Sequence, residues 1–322
     1  MGSRSRIPTA AGLALLAALS LPGRAQACDS NGCYQMTRGD GLLARGAFRI
    51  DFSYRSTEQS LRLLGSEETD SVRRPKVWLE GGAMWPGFHE ELSGHERFLQ
   101  LDAAYGLRAR TSLFASVPLR AARSYTVGHG GVTQQYRPRG LGDTLVGLRH
   151  AFGARFLSTL GVKLPSGESG LIDDYDGTIL DPMLQPGTGS IDVVASVAAN
   201  FRALEPGLRW TAGVSRQQSS ASRYDYRFGP ETIAILGARR AVRGPVDIAL
   251  QAKVFDKGRS AFRGEPVAST GVRYVYLTPG LHVRLGPGGA AYVLVPVPVR
   301  RHVNDAQLAP RRGLVVGFSR TF

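Results

Sequence analysis

The chain lacks most of the features that usually locate a function. It holds 2 cysteines in 322 residues, too few for a disulfide-stapled scaffold or a closed cysteine zinc site. Charged residues are 20% and hydrophobic ones 43% of the total, a balance that excludes an intrinsically disordered polymer. After the first segment no apolar run approaches the roughly 18 residues of a transmembrane helix. No Gly-x-Ser-x-Gly elbow of a serine hydrolase occurs either. Acidic residues are scarce, 26 against 40 basic ones, for a formal net charge of +14. That charge suits nucleic acid, an anionic membrane surface or an acidic solute. Glycine, by contrast, is plentiful at 40 residues, more than a helical enzyme needs.

The N-terminal segment narrows these options. Arg4 and Arg6 precede an apolar stretch from Ala10 to Leu21, and Ala25-Gln26-Ala27 follows as a small-x-small cleavage pattern. Residues 1–27 therefore read as a secretory signal peptide cut before Cys28. Its removal takes Arg4, Arg6 and Arg24 with it, and export argues against a nucleic-acid partner. Residues 28–45 are expected to form a periplasmic segment that carries Cys28 and Cys33. An oxidising compartment favours a small disulfide loop between them. Lipidation of Cys28 and a thiolate metal site are the alternatives; the first is disfavoured by Ala25 and Gln26, the second by too few ligands.

Period-2 alternation dominates the rest of the chain. Phe48, Ile50, Phe52 and Tyr54 share one face of an extended segment, and Arg49, Asp51, Ser53 and Arg55 share the other. Val246, Ile248, Leu250, Ala252 and Val254 alternate in the same way with Asp247, Gln251 and Lys253. One oily and one polar face per strand excludes strands buried on both sides. Strands are expected at 46–56, 95–106, 111–121, 140–152, 155–165, 188–203, 207–218, 227–241, 246–257, 270–285, 290–302 and 312–322. The even-numbered strands are followed by tight links, the odd-numbered ones by long polar links at 57–94, 122–139, 166–187, 219–226, 258–269 and 303–311. Even strand number with short turns on one side and long loops on the other is the pattern of outer-membrane barrels. The expected fold is all-β: an antiparallel up-and-down transmembrane β-barrel of about 12 strands over residues 46–322, with short periplasmic turns and long external loops. Its weak places are the Pro279-Gly280 break and the strand containing Pro296 and Pro298, because proline cannot donate to a ladder.

On the last strand Leu314, Val316, Phe318 and Phe322 share a face. A terminal phenylalanine on an alternating strand resembles the assembly signal that barrel-assembly machinery reads, with Arg320 as a departure; Phe318 and Phe322 would carry it. Several phrases then point further: Gly140-Leu141-Gly142-Asp143-Thr144, Gly147-Leu148-Arg149-His150-Ala151-Phe152, Gly161-Val162-Lys163-Leu164-Pro165-Ser166-Gly167, Asp181-Pro182-Met183-Leu184-Gln185-Pro186-Gly187-Thr188-Gly189-Ser190 and Pro298-Val299-Arg300-Arg301-His302-Val303-Asn304. In order and spacing, over residues 95 to 322, they resemble the meta-pathway phenol-degradation transporters. Ser166 stands where threonine is more usual. The resemblance implies an outer-membrane barrel of a Gram-negative bacterium that passes organic compounds.

Strand parity assigns the side chains inside such a barrel, because Arg or Lys facing lipid at the midplane costs about 2–4 kcal/mol. The pore-lining set is Arg49, Asp51, Arg55, Gln100, Asp102, Arg149, Lys163, Arg202, Arg209, Gln217, Gln251, Lys253, Tyr274, Tyr276, His282, Arg284, Tyr292 and Arg300. Basic residues outnumber acidic ones in it, which implies a channel for small organic, anionic or aromatic-derived solutes. The alternative is a barrel plugged by its own Arg and Asp side chains, a structural or ligand-binding protein without transport. His89, His95 and His129 with Glu90, Glu91 and Glu96, and the acidic loop Asp173, Asp174, Asp176 and Asp181, lack the spacing of a metal site. Ser158 and His150 share lipid-side parity on adjacent strands, a position a membrane lipase could use, though the match rests on parity alone. No elbow or third partner accompanies them, so no catalytic residue and no cofactor is expected. The expected partners are outer-membrane lipid, lipopolysaccharide and a small organic solute.

Overall fold

The computed structural model describes residues 42–202 and 207–322, in which every regular element is a β-strand. Residues 1–27, expected to be a signal peptide, and the Cys28/Cys33 pair lie outside the described residues. Twelve antiparallel strands build the wall: β1 (Phe48–Leu64), β2 (Ala83–Arg108), β3 (Thr111–His129), β4 (Thr144–Phe152), β5 (Phe156–Leu164), β6 (Asp192–Arg202), β7 (Leu208–Ser219), β8 (Glu231–Arg243), β9 (Val246–Lys257), β10 (Val272–Arg284), β11 (Gly289–Leu294 and Val297–Val303) and β12 (Ala306–Thr321). Each strand pairs with the next, and β1 pairs with β12 from Arg49↔Thr321 to Leu64↔Ala306. The sheet is thus closed, which satisfies backbone groups that lipid could not.

Alternation decides which face is which. Along β1, Phe48, Ile50, Phe52 and Tyr54 are 36% to 43% exposed, while Asp51, Ser53 and Arg55 between them are at most 4% exposed. The outward row continues around the wall through Leu148, Leu160, Val197, Val214, Leu236 and Leu250, all exposed. A continuous apolar surface of this kind is one that lipid covers.

The strand boundaries differ from expectation mainly at the loop end of the barrel. β1 continues to Leu64, β2 begins at Ala83 and β3 runs to His129, so much of the expected links 57–94 and 122–139 is wall. There the outward face turns polar, as at Ser56, Ser124 and Thr126, while Leu63, Tyr125 and Val127 face inward, so the sense of the alternation reverses. Backbone pairing nonetheless continues, through Glu58↔His95 and Tyr125↔Gly94. The remaining link folds back as Arg73–Trp78, paired with the start of β2. The link expected at 303–311 shrinks to Asn304-Asp305, with Asp305 at a φ of 55°, so the alternation of short and long links fails at its last member.

Pro279 and Gly280 do not interrupt β10; the break falls in β11 at Val295-Pro296. Below it β11 and β12 pair from Gly289↔Arg320 to Leu294↔Val315. Above it they are joined by the Gly313 N–H to the Pro296 carbonyl and by Arg301, whose guanidinium donates to the Pro310 and Arg311 carbonyls. Pro296, Pro298 and Pro310 supply no donors along this seam.

Candidate functional site

The lumen is filled from both ends. At the turn end, Leu43 is buried against Ala104, Phe114, Leu145 and Val194. The backbone of residues 44–47 runs along β2, with Gly46 N–H donating to the Gly106 carbonyl and Gly106 N–H to the Ala47 carbonyl. Gly106 permits this approach, since a Cβ there would stand 1.9 Å from the Ala44 carbonyl oxygen.

At the loop end, four connections share one apolar core. Val77 and Leu79 come from the link between β1 and β2, Ile179 and Met183 from 165–191, Tyr226 and Phe228 from 220–230, and Phe262 and Val267 from 258–271. Their strands lie around most of the circumference, so a cluster that joins them has to cross the mouth. Lys76, buried beneath this lid, holds Asp173 at 2.8 Å and also pairs with Asp176. Burial opposes the charge on Lys76, but the hydrogen bonds it donates to the two carboxylates outweigh it and raise its pKa above 10.5. For Asp176 burial likewise works upward, and the bonds from Lys76 and Thr178 outweigh it and lower its pKa below 3.8. His129 stacks on Tyr175 at 4.8 Å between ring centroids. Burial first, and then the neighbouring His89, push its pKa below 6.5.

The connection 165–191 is the principal obstacle in the lumen. Leu180 and Leu184 pack on Tyr125, Val127 and Tyr136 of the inner wall and its extension. Asp143 anchors the base of the loop by accepting the N–H groups of Gly167 at 3.0 Å and Thr188 at 2.8 Å. Lys163 bridges Asp143 at 3.2 Å and Asp192 at 2.7 Å, and Gln217 donates to Asp192. Gly167 and Gly187 lie so close that a Cβ on Gly187 would stand 2.6 Å from the Gly167 carbonyl carbon. Three of the phrases that carried the family resemblance therefore converge on one structure, the root of this loop. Asp143 was missing from the expected lining residues although it lies within the expected strand 140–152 and shares the parity of Arg149; the structure buries it on that same inward face.

Two cavities flank the returning arm of this loop, and Met183 and Lys257 border both. One is lined by Phe98, Asp143, Lys163, Asp192, Gln217 and Glu231, with Pro182 and Pro186 from the loop. The other lies against Phe255, Tyr274 and Tyr276, with Leu184, Tyr125 and Gln307 around it. Ile233, Ile235, Leu63 and Val303 back this second wall. Lys253 stands over the Tyr276 ring, 4.2 Å from its centroid.

Of the expected lining residues, Asp51, Arg55, Gln100, Lys163, Gln251, Lys253, Tyr274, Tyr276, His282 and Tyr292 are buried inside the wall. Arg49, Asp102, Arg149 and Gln217 are half-buried, Arg209 and Arg284 are exposed at the turn end, and the Arg202 side chain lies outside the described residues. The buried members are knit together. Arg55 donates to Gln100, Gln100 donates to Asp102 at 2.7 Å and Ser116 at 2.6 Å, and the Tyr292 hydroxyl donates to Asp51 at 3.0 Å. Arg239 and Arg284 both bind Asp247. Arg300 differs: a register shift between Val275 and Tyr276 places it opposite outward Val275, so it faces away from the lumen. Simple alternation cannot see such a bulge. Sequence reasoning also missed Ile233, Ile235 and Phe255, apolar residues on inward positions.

The histidines do not assemble. His89 and His129 lie 5.7 Å apart between ring centroids, and His95 instead meets Ser56 on the outer surface. Asp173 and Asp176 serve Lys76. Ser158 and His150 are cross-strand neighbours, but the Ser158 hydroxyl donates to the His150 carbonyl while the ring meets Thr111. Phe318 is an outward residue opposite Phe52, and Phe322 pairs through its backbone with Phe48.

No family model matches the chain, and no curated protein matches it, so the phenol-transporter resemblance stands on its phrases. Solved structures do match. An outer membrane channel from Pseudomonas putida F1 is 13% identical with a TM-score of 0.56, over 92% of this chain and 100% of that one. The P. putida toluene transporter TodX is 10% identical with a TM-score of 0.43, over 91% and 93%. The translocator domain of the autotransporter NalP from Neisseria meningitidis is 11% identical with a TM-score of 0.44, over 90% and 93%. The first of these establishes the barrel fold; the other two carry no further argument.

Proposed function

We propose that the protein is an outer-membrane channel for small organic solutes that combine an apolar or aromatic body with an anionic group. The observation that carries this reading is the cavity bounded by Phe255, Tyr274 and Tyr276, with Lys253 over the Tyr276 ring beside it. Aromatic faces suit an organic ring, and the amine of Lys253, which stands over Tyr276 outside the cavity's own lining, suits the carboxylate of such a solute. The outward apolar belt and the loop asymmetry support placement in the outer membrane of a Gram-negative cell, with the lid outside. Passage requires the loop 165–191 and the segment around Leu43 to move, since both occupy the lumen.

Reconstitution into liposomes tests the reading. Benzoate should enter faster than an apolar ring without charge or an aliphatic cation of equal size, and Lys253→Met should abolish the preference for the anion. Equal entry of all three would overturn the anionic assignment. The absence of flux and conductance would favour a plugged ligand-binding barrel, a reading supported by the shared core of the four-connection lid.

A further inference from the structure

The outer surface carries a charged patch that the channel reading does not use. On three of the four consecutive strands β11, β12, β1 and β2 the outward apolar row ends, toward the loop end, at an arginine. Leu99 is followed two positions up β2 by Arg97, Leu314 on β12 by Arg312, and Val299 on β11 by Arg300. β1 lies between β2 and β12, with Tyr54 as its last outward aromatic and Ser56 opposite both Arg97 and Leu314. All three arginines are exposed, and among the described residues none makes an ion pair. Arg311, in the bulge beside Arg312, is exposed as well. The charges that face them are His95 and the mostly buried Glu58, which accepts the Ser60 hydroxyl. On β10, at the edge of the patch, the outward Arg273 lies opposite His302 and is neutralised by Asp256 at 2.6 Å.

Desolvating arginines without a partner is costly, so a row of them placed where the apolar belt stops marks the level of anionic groups in the surrounding medium. We propose that the β11-β12-β1-β2 face binds the phosphomonoester headgroups of an outer-leaflet glycolipid of the lipid A type, with Arg97, Arg300 and Arg312 as phosphate ligands. Arginine forks pair two oxygens of a phosphate at once. The apolar rows beneath them, ending at Leu99, Leu314 and Val299, receive the acyl chains. The inference rests on the outer-membrane placement but not on transport: a barrel that passes no solute and still binds this lipid leaves it standing.

The test titrates the detergent-solubilised full chain with bisphosphorylated lipid A, monophosphorylated lipid A and phosphatidylcholine, and repeats it with inorganic phosphate as competitor. Bisphosphorylated lipid A should bind best, and the triple variant R97A/R300A/R312A should bind it at least ~10-fold more weakly. R273A, which removes a paired outer arginine, should bind normally, and circular dichroism should show the same strand content in every variant. An unchanged triple variant, an equal loss in R273A, equal binding of phosphatidylcholine, or displacement of the lipid by millimolar inorganic phosphate would overturn the proposal.

Discussion

Lys163 Nζ lies 2.7 Å from Asp192 Oδ2, a pair whose side chains are 8% and 0% exposed. The pair joins neighbouring wall strands β5 and β6 at the root of the lumen loop, and the same ammonium reaches the loop by donating to the Thr188 hydroxyl at 2.6 Å. Removing one partner of a buried ion pair leaves an uncompensated charge, at a cost of about 3–5 kcal/mol.

Lys163→Met should therefore loosen 165–191 before it harms the barrel. Hydrogen exchange should quicken in that loop and not in β5 or β6, and single-channel conductance should rise. Unchanged conductance with unchanged loop protection would show that Asp143 alone holds the root.

Acid should relax the lid in two stages. His129 has a lowered pKa, so its contribution is full above its ordinary 6.5 and is lost as the pH falls from there to the depressed folded value. Asp176 is also lowered; its contribution is full above 3.8 and is lost as the pH falls through the lower folded value. Lys76 is raised, so its contribution persists below 10.5 and disappears only as the pH rises through the higher folded value. Channel openings should become more frequent below pH 6.5 and again below pH 4, and His129→Phe should remove the first step alone.

Gly106→Leu should expel the segment around Leu43, because its side chain takes the place of the Ala44 carbonyl. The expected result is greater conductance with a barrel that still migrates as folded on unheated gels. Conductance equal to that of the parent would mean that this segment does not limit passage.

Arg301→Ala removes the guanidinium that bridges to the Pro310 and Arg311 carbonyls. With Pro296, Pro298 and Pro310 lacking donors there, the seam has little else to hold it. Hydrogen exchange should quicken in Val297–Val303 and Ala306–Arg312, with a loss of stability of about 1–3 kcal/mol.

The wall was readable in advance because its signal is local. Phe52 and Asp51 differ in character, they are adjacent, and a pleated strand turns them to opposite sides whatever the rest of the chain does. Reading failed where that rule has no purchase. Beyond Ser56 the outward face turns polar while Leu63 points inward, and the strand runs on unseen; at Arg300 a bulge reverses the parity. Ile233 and Phe255 were overlooked because inward positions were expected to be polar, and in this lumen one wall is not.

Sequence alone determined the twelve-strand barrel, its outward belt and most of its inward charges, since period-2 alternation and turn residues act over a few neighbours. Only the tertiary structure decided that the barrel is filled. Lys76 meets Asp173, and Val77 joins Tyr226 and Leu43 joins Val194 in shared clusters, across separations of 97 to 151 residues, and such contacts exist only after closure brings distant segments to the two ends of one lumen.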